Sequence, residues 1–207
     1  MAAETATAPP RSDVTTTAGN SRPDDRGLTR VAWGGIALVL VLQAAVVGWY
    51  TAHSWFYVDD FLFLRQAKDY ELGGAFLRLP LFEHFSPFHR VADWLFMQAG
   101  TPSWPLAAAV LVILTFGCSL AFVYLLTAVT TRTGLVVGAT AVYSLSLFFI
   151  RTSLFWTAGV HLLGLTLFSM LAFGGYVRWH RRRALRSLVL SIVGLALALL
   201  TLSLIHI

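Results

Sequence analysis

A chain of 207 residues that is 57% hydrophobic and 12% charged lies far from the composition of a soluble domain, where charged residues make up about a quarter. Its formal charge of +5 would suit a nucleic-acid binder, but the basic residues sit beside apolar runs, the pattern that orients a membrane protein; no nucleic-acid partner is expected. The single cysteine, Cys118, lies inside an apolar run and excludes both a disulfide framework and a cysteine-based zinc site.

Residues 1–30 are rich in Ala, Thr, Pro and charge, with almost no large apolar side chains. Such a segment cannot bury enough surface to offset its ordering entropy and reads as a disordered tail. Arg22, Arg26 and Arg30 approach the first apolar run and hold this end in the cytoplasm. The first span covers 31–50, about 30 Å of helix. It is longer than a signal-peptide apolar region and no small-residue cleavage site follows, so it is expected to stay uncleaved. Trp33 near its start, and Trp49, Tyr50, Trp55 and Tyr57 near its end, suit the two interfacial aromatic belts.

The loop at 51–104 is the one long segment that is neither span nor tail. It holds Asp59, Asp60, Asp69, Glu71, Glu83 and Asp93, six of the ten acidic residues, and nothing after Asp93 is acidic. Two amphipathic helices are predicted in it. The first runs from about Asp59 to Glu71, with Phe63, Leu64, Ala67 and Tyr70 at helical spacing, and is expected to end at Gly73-Gly74. The second opens at Ser86-Pro87, a serine N-cap followed by proline at the first helical position. Phe88, Val91, Ala92, Leu95 and Ala99 form its apolar stripe, with His89, Arg90 and Asp93 on the other face. Helices of this kind lie in the plane of the membrane interface.

Further spans are predicted at 105–130, 135–150, 154–177 and 188–205. The fold class is therefore all-α, a polytopic transmembrane helix bundle with two interfacial amphipathic helices in its first outer loop. Alternation places the tail, Arg132 and the Arg178–Arg186 cluster inside and the acidic loop outside, as in a multi-pass protein of a bacterial-type plasma membrane. The fifth span has no flank on its far side, and the closing residues LSLIHI resemble adapter read-through. The expectation is a frame truncated at its C-terminus.

Within the loop, Asp59 and Asp60 each have two readings. An acidic residue at a helix start accepts from free N–H groups and offsets the dipole; at a bilayer surface it can also serve as a general base for an attacking hydroxyl. A divalent metal on the pair is possible but not favoured, since adjacent helical side chains diverge by about 100°. In EHFSPFHR, His84 stands just ahead of a helix N-terminus, where free N–H groups favour phosphate, and Arg90 could reach back from the next turn. The plainer alternative is an interfacial helix with an Arg90–Asp93 pair at i,i+3. Arg151, at the outer end of a span, is either a snorkelling anchor or a further phosphate ligand. His161 is an intramembrane ionisable group, and Gly134 and Gly138 make a GxxxG.

A first span, then DDFLFLRQAKDYELGGAF, then HFSP opening a second surface helix, resembles the N-terminal part of GT-C class membrane glycosyltransferases, the protein O-mannosyltransferases and aminoarabinose transferases among them. The resemblance covers about residues 31–100. It implies sugar transfer from a polyprenyl-phosphate donor to an acceptor hydroxyl at the outer face, with Asp59 as base, Asp60 as the second acidic position, and His84 with Pro87 at the family's His-Pro-Pro-Leu-like motif, here HFSP. The implied partners are the lipid-linked donor and membrane lipids, with no cofactor. No glycine-rich phosphate loop occurs, so a nucleotide-sugar is not expected. The rival readings are a transporter or flippase-like protein, which should show broken helices or polar groups at mid-membrane, and a structural membrane subunit.

Overall fold

The computed structural model describes residues 28–80 and 85–201. The expectations for the tail up to residue 27, for His84 and for LSLIHI fall outside the described residues.

Among the described residues every regular element is a helix: α1 Arg30–Ala52, α2 Val58–Asp69, α3 Gly74–Leu77, α4 Pro87–Gln98, α5 Trp104–Val129, α6 Thr133–Ser144, α7 Leu147–Thr152, α8 Trp156–Arg182 and α9 Leu185–Thr201. Four stretches are long and apolar enough to cross a membrane, α1, α5, α6 with α7, and α8, the mark of a membrane protein. α1 starts at Thr29, whose hydroxyl accepts from Ala32 N at 3.2 Å, the usual service of an N-cap. α5 carries Pro105 in its first turn, where the missing N–H costs nothing. α8 ends at Arg183, in the left-handed conformation with φ 53°, and the chain reverses into α9 two residues later.

α5 lies at the centre, with α1 and α8 packed against it and α9 against α8. Val47, Leu64, Phe96, Trp104, Leu111 and Trp156 belong to one buried cluster that joins the loop helices to the spans. Close approach of α8 to α9 rests on two glycines. A Cβ on Gly175 would stand 2.8 Å from Ser187 O and 2.9 Å from Ser191 N, and one on Gly194 would stand 2.9 Å from Ala172 N. Backbone meets backbone at both places. Gly134 and Gly138 have open space where a Cβ would be, so the GxxxG on α6 packs against nothing among the described residues.

Four expectations need correction. The third span is not one helix: it breaks at Leu145-Ser146 between α6 and α7. Ser144 Oγ donates to Ser119 Oγ at 3.0 Å and Thr115 Oγ1 pairs with Ser153 Oγ at 3.1 Å, so α5 hydroxyls fasten the chain on both sides of the break. α2 stops at Tyr70 in extended conformation, before Gly73, and Gly74 instead opens the short α3. The hydroxyl of Ser86 does not cap α4; it donates to Thr201 O at 3.4 Å. Lastly, the polar face of α4 is not left at a solvated interface: His89, Arg90 and Asp93 are fully buried, while along the apolar stripe Phe88 and Ala92 pack partly buried against the core and Leu95 is 59% exposed.

The glycine seam generates a test. Gly175→Val should lower stability by about 1–3 kcal/mol, the cost of forcing volume into a filled site, read as a drop in Tm for the protein in detergent. Gly138→Ala, made into open space, should not lower it.

Candidate functional site

The loop and the bundle meet at a carboxylate. Asp60 lies in the first turn of α2 and is 1% exposed. One oxygen, Oδ2, accepts from Tyr57 N at 2.8 Å and from Trp156 N at 3.3 Å, and Oδ1 accepts from Thr157 N at 2.8 Å. A single side chain thus caps two helices, its own and α8. Both N-termini present orphan N–H groups and partial positive charge, which a carboxylate satisfies.

Trp156, fixed there by its backbone, extends the contact to α4. Its indole Nε1 donates to Asp93 Oδ1 at 2.8 Å, and its ring lies 4.4 Å from that of Phe96, centre to centre. His89 sits one turn before Asp93, with Nε2 3.2 Å from the same Oδ1, close enough for an ion pair yet misaligned for a hydrogen bond. His89 Nε2, Asp93 Oδ2 and Thr157 Oγ1 are buried without hydrogen-bond partners. Unpaired polar atoms in a packed interior cost stability, which makes His89 and Asp93 candidates for contact with a ligand.

Arg90, on the same face, is fully buried and committed. Its Nε donates to Leu79 O at 3.2 Å, Nη1 to Gln66 Oε1 at 2.8 Å and Nη2 to Pro80 O at 2.8 Å. The guanidinium also lies over the rings of Phe63 and Phe76, at 5.2 and 5.5 Å. Burial pushes it below its ordinary pKa, opposed by the Asp93 carboxylate. Arg90 clamps residues 79 and 80 onto α2 and α4. The expected i,i+3 pairing with Asp93 is replaced by His89–Asp93 at i,i+4.

Beside this cluster runs an apolar groove of about 360 Å³, lined by Phe88 and Leu95 of α4, Leu106 and Val110 of α5, and Trp156 and Val160 of α8. Trp156 forms its wall on one side and bonds Asp93 on the other. On α4 the groove runs from Phe88 and Ala92 at the edge of the core to the exposed Leu95.

Of the residues singled out from sequence, Asp60 and Arg90 are thus drawn into the buried assembly. Asp59 is half-buried beside Asp60, and Arg151 is exposed in the last turn of α7. His84 lies outside the described residues. Both oxygens of Asp60 face backbone amides, an arrangement that suits a cap better than a metal clamp with Asp59. His89, Asp93 and Trp156 were not singled out. The i,i+4 spacing of His89 and Asp93 opposite an apolar stripe was a readable signal; the part played by Trp156 is tertiary and had none.

A scan against protein-family models, a search of curated proteins and a search of solved structures each found no match.

The two aspartates should separate cleanly by stability. Asp60→Ala strips the acceptor from three backbone amides and should cost about 2–4 kcal/mol, since hydrogen bonds to a charged group are the stronger kind. Asp59→Ala should cost under about 1 kcal/mol. Thermal unfolding of both in detergent checks this; equal losses would remove the capping role of Asp60.

Proposed function

We propose that the chain is a membrane glycosyltransferase that takes sugar from a polyprenyl-phosphate donor at the face carrying α2–α4. The observation that carries the reading is the apolar groove against Trp156, with Asp93 behind that indole and the His89–Asp93 pair keeping buried polar atoms free of hydrogen bonds. A prenyl chain needs an apolar channel open to lipid, and its phosphate end needs polar groups at the channel's edge. The order of acidic pair, surface helix and HFSP in the sequence supports the same assignment.

In this reading Asp59 is the base. The acceptor hydroxyl oxygen attacks the anomeric carbon, its proton passes to the Asp59 carboxylate, and the bond from that carbon to the phosphate oxygen breaks. The polyprenyl phosphate departs with the electron pair. Asp60, with its oxygens held by amides, positions α2 rather than touching substrate. Arg90 fixes residues 79 and 80, just ahead of His84, which with Arg151 is assigned to the leaving phosphate. Pre-placed positive charge there stabilises the departing group.

A second reading, a transporter or flippase-like protein, is favoured by one observation, the break of the third span at Leu145-Ser146. The two readings part in one experiment. The protein in lipid vesicles is given a photoreactive polyprenyl-phosphate sugar. Leu95→Trp, which fills the groove, should reduce crosslinking; Asp59→Asn should keep crosslinking and lower transfer by about 10²–10⁴-fold, the usual cost of losing a general base. Movement of the lipid across the bilayer with no transfer to any hydroxyl acceptor would favour the second reading, and undiminished transfer by Asp59→Asn would sink the assigned base.

The proposed orientation puts the N-terminus inside and residues 51–104 outside, from the arginine clusters at the opposite end. Single cysteines at Gly73 and Thr131, both exposed, report it, because Cys118 is fully buried and adds no background. An impermeant thiol reagent on intact cells should label position 73 and spare 131; the reverse pattern would invert the topology.

A further inference from the structure

At the end of the bundle away from the loop, α1, α5, α8 and the start of α9 enclose two adjoining crevices. The larger, about 460 Å³, has apolar walls that include Trp33, Leu120 and Val123, and a rim that includes Thr130 and Arg182. The smaller, about 340 Å³, is lined by Arg178, Arg182, Arg186 and Ser187 among others. Tyr124, Arg178 and Arg182 belong to both.

Arg178 is fixed in the shared wall. Its Nη2 donates to Tyr124 O at 3.0 Å and Thr127 Oγ1 at 2.8 Å, and its guanidinium stacks over the Tyr124 ring at 4.3 Å. Its Nε is buried with no partner. Arg182 and Arg186, both exposed, make no hydrogen bond or ion pair among the described residues, and the sequence has no acidic residue after Asp93. Three guanidinium groups therefore line one continuous recess without a carboxylate from any of the helices that form it. Arginine forks match phosphate oxygens in geometry as well as charge. The apolar wall beside them lies at the level where α1 begins and α5 ends, which is where a bilayer's headgroups give way to acyl chains.

We infer that this recess is a binding site for an anionic phospholipid of the leaflet at this end, its phosphate held by Arg178, Arg182 and Arg186 and an acyl chain lying along Trp33, Leu120 and Val123. Basic pockets between transmembrane helices take such headgroups. The division of labour follows from the lining: the small crevice supplies charge and the Ser187 hydroxyl, the large one supplies apolar surface. A free phosphate would use only the first, a zwitterionic lipid mainly the second.

The test is native mass spectrometry of the purified full chain in about 150 mM volatile salt, which screens diffuse attraction. Phosphatidylglycerol, phosphatidylcholine and inorganic phosphate are titrated separately. Phosphatidylglycerol should be retained over phosphatidylcholine, and Arg182→Gln with Arg186→Gln should weaken its retention by about tenfold or more. Both side chains are exposed, so the fold should survive, which an unchanged Tm confirms. Arg30→Gln with Arg132→Gln removes the same charge at the same end from residues that line neither crevice, and should leave retention intact. Equal retention of the two lipids, equal loss in the two double variants, or displacement of phosphatidylglycerol by millimolar phosphate alone would each overturn the inference.

Discussion

Everything at the loop end depends on the three amides that converge on Asp60. Without that carboxylate, α2 and α8 would point two partly positive N-termini at each other in a water-poor region, with their first N–H groups unpaired. With it, the start of a surface helix and the start of a membrane span become one rigid corner. The position of Trp156 follows from this, because its own backbone N–H is one of the three. From Trp156 the constraint passes to Asp93, and through the α4 backbone to His89 and Arg90. Trp104 Nε1, donating to Thr51 O at 2.8 Å, ties the start of α5 to the end of α1 nearby.

The burial of the polar face of α4 has an energetic logic. Burying His89, Arg90 and Asp93 is expensive unless partners replace water. Arg90 recovers its share through two carbonyls, one amide oxygen and two aromatic faces. Asp93 recovers half, on the Trp156 indole, and His89 recovers little. The helix is thus held by the saturated member of the set while the unsaturated pair stays poised. With the polar face inward, Phe88 and Ala92 pack at the edge of the core while Leu95 is exposed, and the three together line the apolar groove. A partly satisfied buried network is a poor way to gain stability alone, which is why a ligand-directed use of His89 and Asp93 is the economical interpretation.

Long apolar helices were legible in the sequence because hydropathy is a local property: α1 and α5 fall within about two residues of their expected bounds, within the usual ambiguity of helix ends. By contrast, α8 runs on to Arg182, past its expected end at 177, and α9 is shorter than the four candidate spans. What depends on a partner was not legible. Asp59 and Asp60 are adjacent and chemically alike, and only the position of α8 distinguishes cap from half-exposed carboxylate. Amphipathicity told that α4 has two faces but not which one meets protein. The GxxxG at Gly134 and Gly138 satisfied a pattern yet lacks a neighbour among the described residues, while Gly175 and Gly194, on different helices, formed no pattern, and a Cβ on them would meet a neighbouring backbone at 2.8 and 2.9 Å. Ser144 and Ser146 were the available hint of the broken third span, weak because serine is common in membrane helices.

The two ends of the bundle divide the charge between them. Asp59, Asp60 and Asp93 gather where α8 begins, and Arg178, Arg181, Arg182, Arg183 and Arg186 where it ends or just beyond. Along α8 the macrodipole is met at both termini by the sign that stabilises it, an acid at the N-terminus and bases at the C-terminus. The arrangement satisfies one helix, and it also leaves each end chemically distinct: buried carboxylates with spare acceptor capacity beside an apolar groove at one, arginines with spare donors beside apolar walls at the other. A polar group placed only for topology could stay solvated at the surface. Asp93 Oδ2 and the Nε of Arg178 are buried instead, the first behind the Trp156 wall of one apolar recess and the second in the wall of another, and it is this pairing of unspent polarity with apolar space on which both proposals rest.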